Sequence, residues 1–343
     1  MDYRRLGNSG TVVSNYCLGT MTFGAESDEA TSFALMDAYV AAGGNFIDTA
    51  NVYSAGVSEE IVGRWLKSKP GILRDLVITT KGRFPMGPGP NHLGLSRKNL
   101  NEALDASLKR LGVEHIDLYQ MHAWDALTPI EETLRFLDDA IRNGKIAYYG
   151  FSNFLGWQMT KAVWTAKMAG FAAPVTLQPQ YNLLVRDIEH EIVPAAQDAG
   201  IGLLPWSPLG GGWLSGKYKR DQMPTGATRL GENPKRGMEA FEKRNSDLRT
   251  WEVIGAVEDL AKARGASMAQ VALAWVAAQP AVTSVILGAR TTDQLKDNLG
   301  AAGLVLTPEE LAALGAVSKP EMSDYPYGEG GIGQRNRNIG GGR

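Results

Sequence analysis

Cysteine is almost absent from this 343-residue chain, with Cys17 the only one. That excludes an intrachain disulfide and fits a reducing compartment. Cys17 falls inside an apolar run, where a small buried thiol is a better reading than a nucleophile. Histidine is scarce too, at four residues. His92, His115 and His190 show no metal-ligand spacing with Cys17 or with one another, so no catalytic metal is expected. Charge bias is missing: 35 Lys and Arg against 37 Asp and Glu leave a formal net charge of −2. Such a balance argues against nucleic acid or an anionic membrane surface as the main partner. Long apolar runs are also missing. The most apolar window, Val271 to Ile286, is broken by Gln279 and Pro280 and is too short to span a bilayer. No apolar stretch follows Met-Asp-Tyr-Arg-Arg, so no secretory signal is expected. A soluble cytoplasmic enzyme is the expectation that remains.

What is present is repetition of strand and helix. Eight short β-rich runs recur, at Tyr16–Gly19, Asn45–Ile47, Leu76–Thr80, Ile116–Gln120, Ile146–Phe151, Val175–Gln178, Gly202–Trp206 and Ser284–Leu287. Amphipathic helices are predicted between them, among others over Asp28–Ala42, Glu59–Lys67, Lys98–Leu111 and Ile130–Asn143. Gly43, Gly112, Gly144 and Gly200 stand where such helices stop. Near-continuous apolar strands alternating with helices point to a parallel sheet, and eight repeats point to a closed (β/α)8 TIM barrel. Before the first strand, Tyr3–Leu6 and Thr11–Val13 flank Gly7-Asn8-Ser9-Gly10, which predicts an N-terminal β-hairpin plugging the barrel bottom. The even spacing fails between strands seven and eight, where 210–247 reads as a long loop rich in Gly, Lys, Arg and Pro. One barrel domain over 1–320 is expected, followed by a Gly-rich tail, 321–343, with no fold of its own.

Four polar residues follow the second, third and fourth strands: Asp48 and Tyr53, Lys81, and His122. In a barrel the carboxyl ends of the strands carry the functional side chains. Each residue alone has an ordinary explanation. A tyrosine packs, a lysine is solvated, a histidine is a hydrogen-bonded structural group, and Asp48-Thr49 could cap a helix. Together at one mouth they suit proton transfer to a carbonyl oxygen. A free phenol, with a pKa of about 10, holds its proton too tightly at neutral pH, and a neighbouring ammonium lowers that value. The carboxylate would keep the ammonium charged and aimed. Gly328-Glu-Gly-Gly-Ile-Gly333 matches G-x-G-x-x-G, but no strand precedes it and no helix follows, so it is composition rather than a dinucleotide site.

From Tyr3 to about Leu314 the chain resembles the aldo-keto reductase superfamily. The motifs are Asn45-Phe-Ile-Asp-Thr-Ala-Asn-Val-Tyr53, Thr79-Thr-Lys81, Ile116-Asp-Leu-Tyr-Gln-Met-His122, Gly150-Phe-Ser-Asn153 and Gln178-Pro-Gln-Tyr-Asn182. Further ones are Trp206-Ser-Pro-Leu209, Leu214-Ser-Gly-Lys-Tyr218 and Gly288-Ala-Arg-Thr-Thr-Asp-Gln-Leu-Lys-Asp-Asn298. The likeness is nearest to branches holding bacterial reductases and potassium-channel β-subunit-like proteins. It implies NADPH-dependent reduction of aldehyde or ketone carbonyls, reversibly, with NADH also possible. Tyr53 would be the proton donor, Lys81 its tuner, Asp48 the partner of Lys81, and His122 the group orienting the substrate oxygen. Ser152, Asn153 and Gln178 would hold the nicotinamide carboxamide, with Trp206 stacked on the ring where many relatives carry tyrosine. Gly19, Thr20 and Met21 would border the cofactor after strand one. Ser207, Pro208, Leu209, Gly211, Gly216 and Lys217 would follow the pyrophosphate, and Gly288, Arg290, Gln294, Asp297 and Asn298 the adenosine end.

Arg290, a fixed cation beside a glycine turn, suits a 2′-phosphate, unless it merely caps the strand or pairs with Asp293 instead. Many relatives have lysine where Gly288 stands and arginine where Gln294 stands, so those absences leave room for dual cofactor use. Phe23, Phe84 and Trp124, with Met21, are apolar residues on mouth loops, and suggest an apolar or bulky small-molecule carbonyl substrate. Two other readings stay open: a cofactor-binding regulatory subunit resembling potassium-channel β-subunits, and a Schiff-base lyase using Lys81. A lysine paired to a carboxylate is a poor nucleophile, which weighs against the lyase.

Overall fold

The computed structural model describes residues 1–226, 228–235, 237–328 and 331. The Gly328–Gly333 run and the tail beyond 328 lie largely outside the described residues. The chain opens with an antiparallel hairpin, Tyr3–Arg5 (β1) and Val12–Ser14 (β2). Eight parallel strands follow: Tyr16–Gly19 (β3), Phe46–Asp48 (β4), Val77–Gly82 (β5), Ile116–Met121 (β6), Ile146–Ser152 (β7), Thr176–Gln178 (β8), Gly202–Leu203 (β9) and Val285–Leu287 (β10). They form one sheet in the order β10-β3-β4-β5-β6-β7-β8-β9. The two edges meet: Leu203 bridges Val282, and the Ile286 N–H donates to Pro205 O at 3.0 Å. The architecture is a (β/α)8 barrel, and each expected strand lies within a few residues of its place.

Helices Glu29–Ala41 (α1), Val57–Ser68 (α2), Arg97–Leu111 (α3), Ile130–Arg142 (α4), Gly156–Ala169 (α5) and Ile192–Ala199 (α6) wrap the outside. Their sequences explain them. In α4, Ile130, Leu134 and Leu137 fall on one buried face at helical spacing. Asp28 caps α1 by accepting from the Thr31 N–H at 2.8 Å. Gly43, Gly112, Gly144 and Gly200 all adopt the left-handed conformation expected of helix stops.

The 210–247 segment differs from the expected loop. It carries the short helices Arg229–Glu232 (α7) and Phe241–Asn245 (α8) and packs around Trp213, which is fully buried against Tyr218, Phe241 and Trp251. An almost fully buried Arg244–Glu239 ion pair at 2.9 Å ties it down. Aromatics scattered at 213, 218 and 241 give no period, so only the folded segment reveals them as one cluster. Then come Leu248–Arg264 (α9), Met268–Ala277 (α10), Thr292–Leu299 (α11) and Pro308–Val317 (α12).

Alternation along the strands makes two cores and, above one of them, the site. Leu18, Ile47, Ile78, Tyr119 and Phe151 face outward to the helices. Cys17, Phe46, Val77, Leu118, Leu204 and Ile286 face inward, where Leu6 and Val13 of the hairpin join them. The hairpin thus closes the bottom as its sequence suggests. Gly7, at φ +56°, makes this contact possible, because an added Cβ would stand 1.9 Å from Val175 O. Steps of two residues up from Phe46, Val77 and Leu118 reach Asp48, then Lys81 by way of Thr79, and His122, just past the end of β6, by way of Gln120.

Candidate active site

The upper barrel opens into a cleft of about 380 Å³. Asp48, Tyr53 and His122 line its floor. Lys81 lies just beneath, with no exposed surface. Its Nζ donates to Asp48 Oδ2 at 2.6 Å, to Thr49 O at 2.8 Å and to the Tyr53 hydroxyl at 3.2 Å. Asp48, 2 % exposed, also accepts from Gln178 Nε2 at 2.9 Å on its other oxygen. Gln120 supports the same oxygen at 3.4 Å and Thr79 Oγ1 at 3.1 Å. The four expected residues are thus brought together. Asp48 sits in the last position of β4 and caps no helix.

Tyr53 comes up from a strained turn. Ser54 and Ala55 both take left-handed conformations, at φ 48° and 53°, without being glycine. Such strain persists only when surroundings enforce it; here Ser54 Oγ is anchored to Phe23 O at 2.8 Å.

The electrostatics correct one expectation. Burial pushes the Tyr53 phenol above its usual value of 10.0; Lys81 pulls it down as anticipated, and Asp48 pushes it up again. The net direction is upward, because burial outweighs the pull of an ammonium that shares its charge with a carboxylate at 2.6 Å. Lys81 itself is drawn down by burial but held above 10.5 overall by Asp48 and Tyr53, so it stays an ammonium. Burial, helped by Lys81 and Arg83, takes His122 well below 6.5. It is therefore a neutral imidazole at neutral pH, with a buried Nδ1 that has no hydrogen-bond partner.

Around the floor the cleft is polar and then cationic. Ser152, Asn153 and Gln178 form one cluster: Ser152 Oγ donates to Gln178 O at 2.9 Å, and Asn153 Nδ2 to His122 O at 3.0 Å. The Trp206 indole donates to Asn153 Oδ1 at 3.1 Å. Outward lie Gly19, Met21, Ser207, Pro208, Leu209, Gly211, Lys217, Gly288, Arg290, Gln294 and Asn298. Sequence reasoning missed Thr22, Gly212, Thr228, Arg229, Leu273 and Ala289, which also line the cleft. The cation Arg229 within the 210–247 segment was the one signal available.

Several expected positions stand elsewhere. Thr20 is buried behind the wall, its hydroxyl on Ser58 Oγ and Asp48 O. Phe23 is sealed in the outer core. Gly216 lies outside the lining, with room for a Cβ closed by Met268. Asp297 turns away to accept from Ser267 Oγ and Gln270 Nε2. Phe84 packs on His122, ring centroids 4.6 Å apart, beyond the lining residues. Trp124 packs on Phe154 and Trp157. Mouth loops bend in ways that strand alternation does not encode, so facing could not be read from them. Arg290 does not pair with Asp293. It forms two bonds to Glu232, at 2.8 and 2.9 Å, and reaches Glu26 at 3.4 Å.

Residues 15–319 match the model of the aldo/keto reductase family. The chain belongs to that family. An uncharacterized oxidoreductase YrpG of Bacillus subtilis is 40 % identical over 322 residues, covering 92 % of this chain and 95 % of the relative. A probable voltage-gated potassium channel subunit beta of Oryza sativa is 38 % identical over 330 residues, covering 94 % and 99 %. Versiconal hemiacetal acetate reductase of Aspergillus parasiticus is 35 % identical over 338 residues, covering 92 % and 96 %. Among the described residues no helix is long and apolar enough to cross a membrane.

Proposed function

We propose that the protein binds a nicotinamide dinucleotide and reduces aldehyde or ketone carbonyls to alcohols, reversibly. The observation that carries this reading is the sealed Lys81–Asp48 pair at 2.6 Å with the Tyr53 hydroxyl 3.2 Å from the ammonium, at the floor of the cleft. Bound there, the dinucleotide supplies the hydride for reduction, or takes it in the reverse direction. Tyr53 delivers its proton to the carbonyl oxygen. Lys81 donates to the phenol oxygen and so stabilises the phenolate left behind. Asp48 keeps that ammonium charged and aimed. His122, neutral, orients the carbonyl oxygen through a ring N–H.

The cleft residues fit the cofactor. Gln178 spends its amide nitrogen on Asp48, which leaves its carbonyl oxygen for a carboxamide alongside Ser152 and Asn153, while Trp206 offers a ring face. Ser207, Gly210, Gly211 and Gly212 all adopt left-handed backbone. Although the Gly210, Gly211 and Gly212 N–H groups are bonded to Ser207 O, Ser207 Oγ and Leu209 O, the absence of side chains at the three glycines lets a pyrophosphate approach this turn closely. Lys217, Arg229 and Arg290 supply positive charge nearby. The Arg290–Glu232 pair means a 2′-phosphate must compete with a carboxylate, which supports use of both NADPH and NADH, with NADPH preferred. A Cβ built on Gly288 meets nothing within 4 Å, so the position has room for a further charge that this chain does not carry.

The deciding experiment is titration with NADPH and with NADH, following tryptophan fluorescence, then loss of reduced cofactor at 340 nm with benzaldehyde. Saturable quenching followed by turnover is the expected result. Binding without turnover of a panel of aldehydes would favour the regulatory reading that the channel-subunit relative brings to mind; binding of neither would sink both.

A further inference from the structure

Arg83 follows Lys81 by two residues and has a cation's full donor set nearly unspent. Among the described residues it forms no ion pair. Its one hydrogen bond runs from NH2 to Trp124 O at 3.3 Å, and its Nε is buried with no partner. A guanidinium carries five donors and is seldom left so poorly matched. Asp125, the acid nearest in effect, is already held by the Leu95 N–H and by Thr128 Oγ1, at 2.8 and 2.6 Å. The backbone is forced to serve this placement: Arg83 sits at φ 146°, a conformation L residues avoid, with its carbonyl pinned by the Gly94 N–H at 2.8 Å. The guanidinium lies over the Phe84 ring, 5.0 Å from its centroid, and that ring in turn meets His122 at 4.6 Å. One aromatic ring therefore links the group that orients the carbonyl to an unsatisfied cation.

Building on the carbonyl-reductase reading, we infer that Arg83 selects the substrate: it receives a carboxylate at the far end of a carbonyl compound whose aldehyde or ketone sits at Tyr53 and His122. Neither Arg83 nor Phe84 is among the residues lining the cleft, so the intervening carbons leave the cleft beside His122 and run past the Phe84 ring that packs on it. A carboxylate accepts two N–H bonds from a guanidinium in parallel, which matches the spare donors. The substrate class is an aldehyde or ketone acid with an apolar spacer, which refines the apolar or bulky substrate expected from the mouth loops.

The test compares 4-carboxybenzaldehyde with benzaldehyde on the wild type, Arg83→Gln and Arg83→Lys, with urea unfolding of each variant to confirm the fold. The wild type is expected to show the higher kcat/KM on the carboxylate. Arg83→Gln should raise KM for 4-carboxybenzaldehyde at least ten-fold more than for benzaldehyde, and Arg83→Lys should recover part of the difference. Equal changes for both aldehydes, or none, would overturn the inference and leave Arg83 as a stitch between two loops. Turnover of neither aldehyde by the wild type, at saturating cofactor, would defeat the reductase reading and this inference with it.

Discussion

The two ends of the cleft hold their charges in opposite ways. At the floor, Lys81 and Asp48 are 0 % and 2 % exposed and each is bonded on several sides. At the outer end, Arg290 is bonded to Glu232, whose side chain is 44 % exposed and stands on the 210–247 segment. Desolvated partners cannot be separated cheaply, whereas a pair with one half-exposed member exchanges more readily with water or a ligand. The floor is therefore set before any ligand arrives. The outer end already holds Arg290 on its own carboxylates, Glu232 and Glu26, which any anion arriving there would have to displace.

Four changes press on that contrast, the largest first. Tyr53→Phe removes one hydroxyl and no buried charge, so turnover should fall by about 100- to 10,000-fold while cofactor titration barely moves; unchanged turnover would remove Tyr53 from the chemistry. Lys81→Met strands Asp48 in the barrel, and urea unfolding should show a loss of about 3–5 kcal/mol; a loss below 1 kcal/mol would mean that water reaches the floor. Glu232→Gln frees Arg290 of a half-exposed partner, and NADPH should bind roughly two- to five-fold tighter, as expected for a surface pair worth up to about 1 kcal/mol, with NADH little altered. Equal tightening of both cofactors would show that Arg290 does not read the 2′-phosphate.

The fourth uses pH. His122 binds its proton well below 6.5 in the fold, while the unfolded chain binds at the ordinary value. Between the two values the unfolded state holds the extra proton. His122 therefore contributes stability fully above pH 6.5, and that contribution drains away as pH falls toward the folded value. Melting temperature measured from pH 7 to pH 5 should fall more steeply for the wild type than for His122→Asn. Parallel curves would mean that the imidazole protonates freely in place.

Much of this could be read from the residues. Strand runs ending in Asp48, Lys81 and His122 announce both the barrel and its mouth, because alternation and carboxyl-end placement are local rules applied eight times. Glycines at 43, 112, 144 and 200 stop helices for a reason that needs no neighbours. Other residues resisted. Phe23 and Trp124 follow strands just as the site residues do, yet one packs into the core and the other against Phe154 and Trp157. The direction of the Tyr53 shift also resisted, because it depends on burial and on Asp48 as well as on the lysine two strands' chemistry suggested.

The sequence by itself determined the repeat, the family and the identity of the groups at the floor, since period, turn chemistry and motif are written residue by residue. Only the tertiary structure decided which of those groups share a hydrogen-bond network, that Glu232 and Glu26 occupy Arg290, and that Arg83 is left with most of its donors unspent. Those are relations between residues as far apart as 26 and 290, and charge balance and desolvation depend on distance in space, which spacing along a chain does not contain.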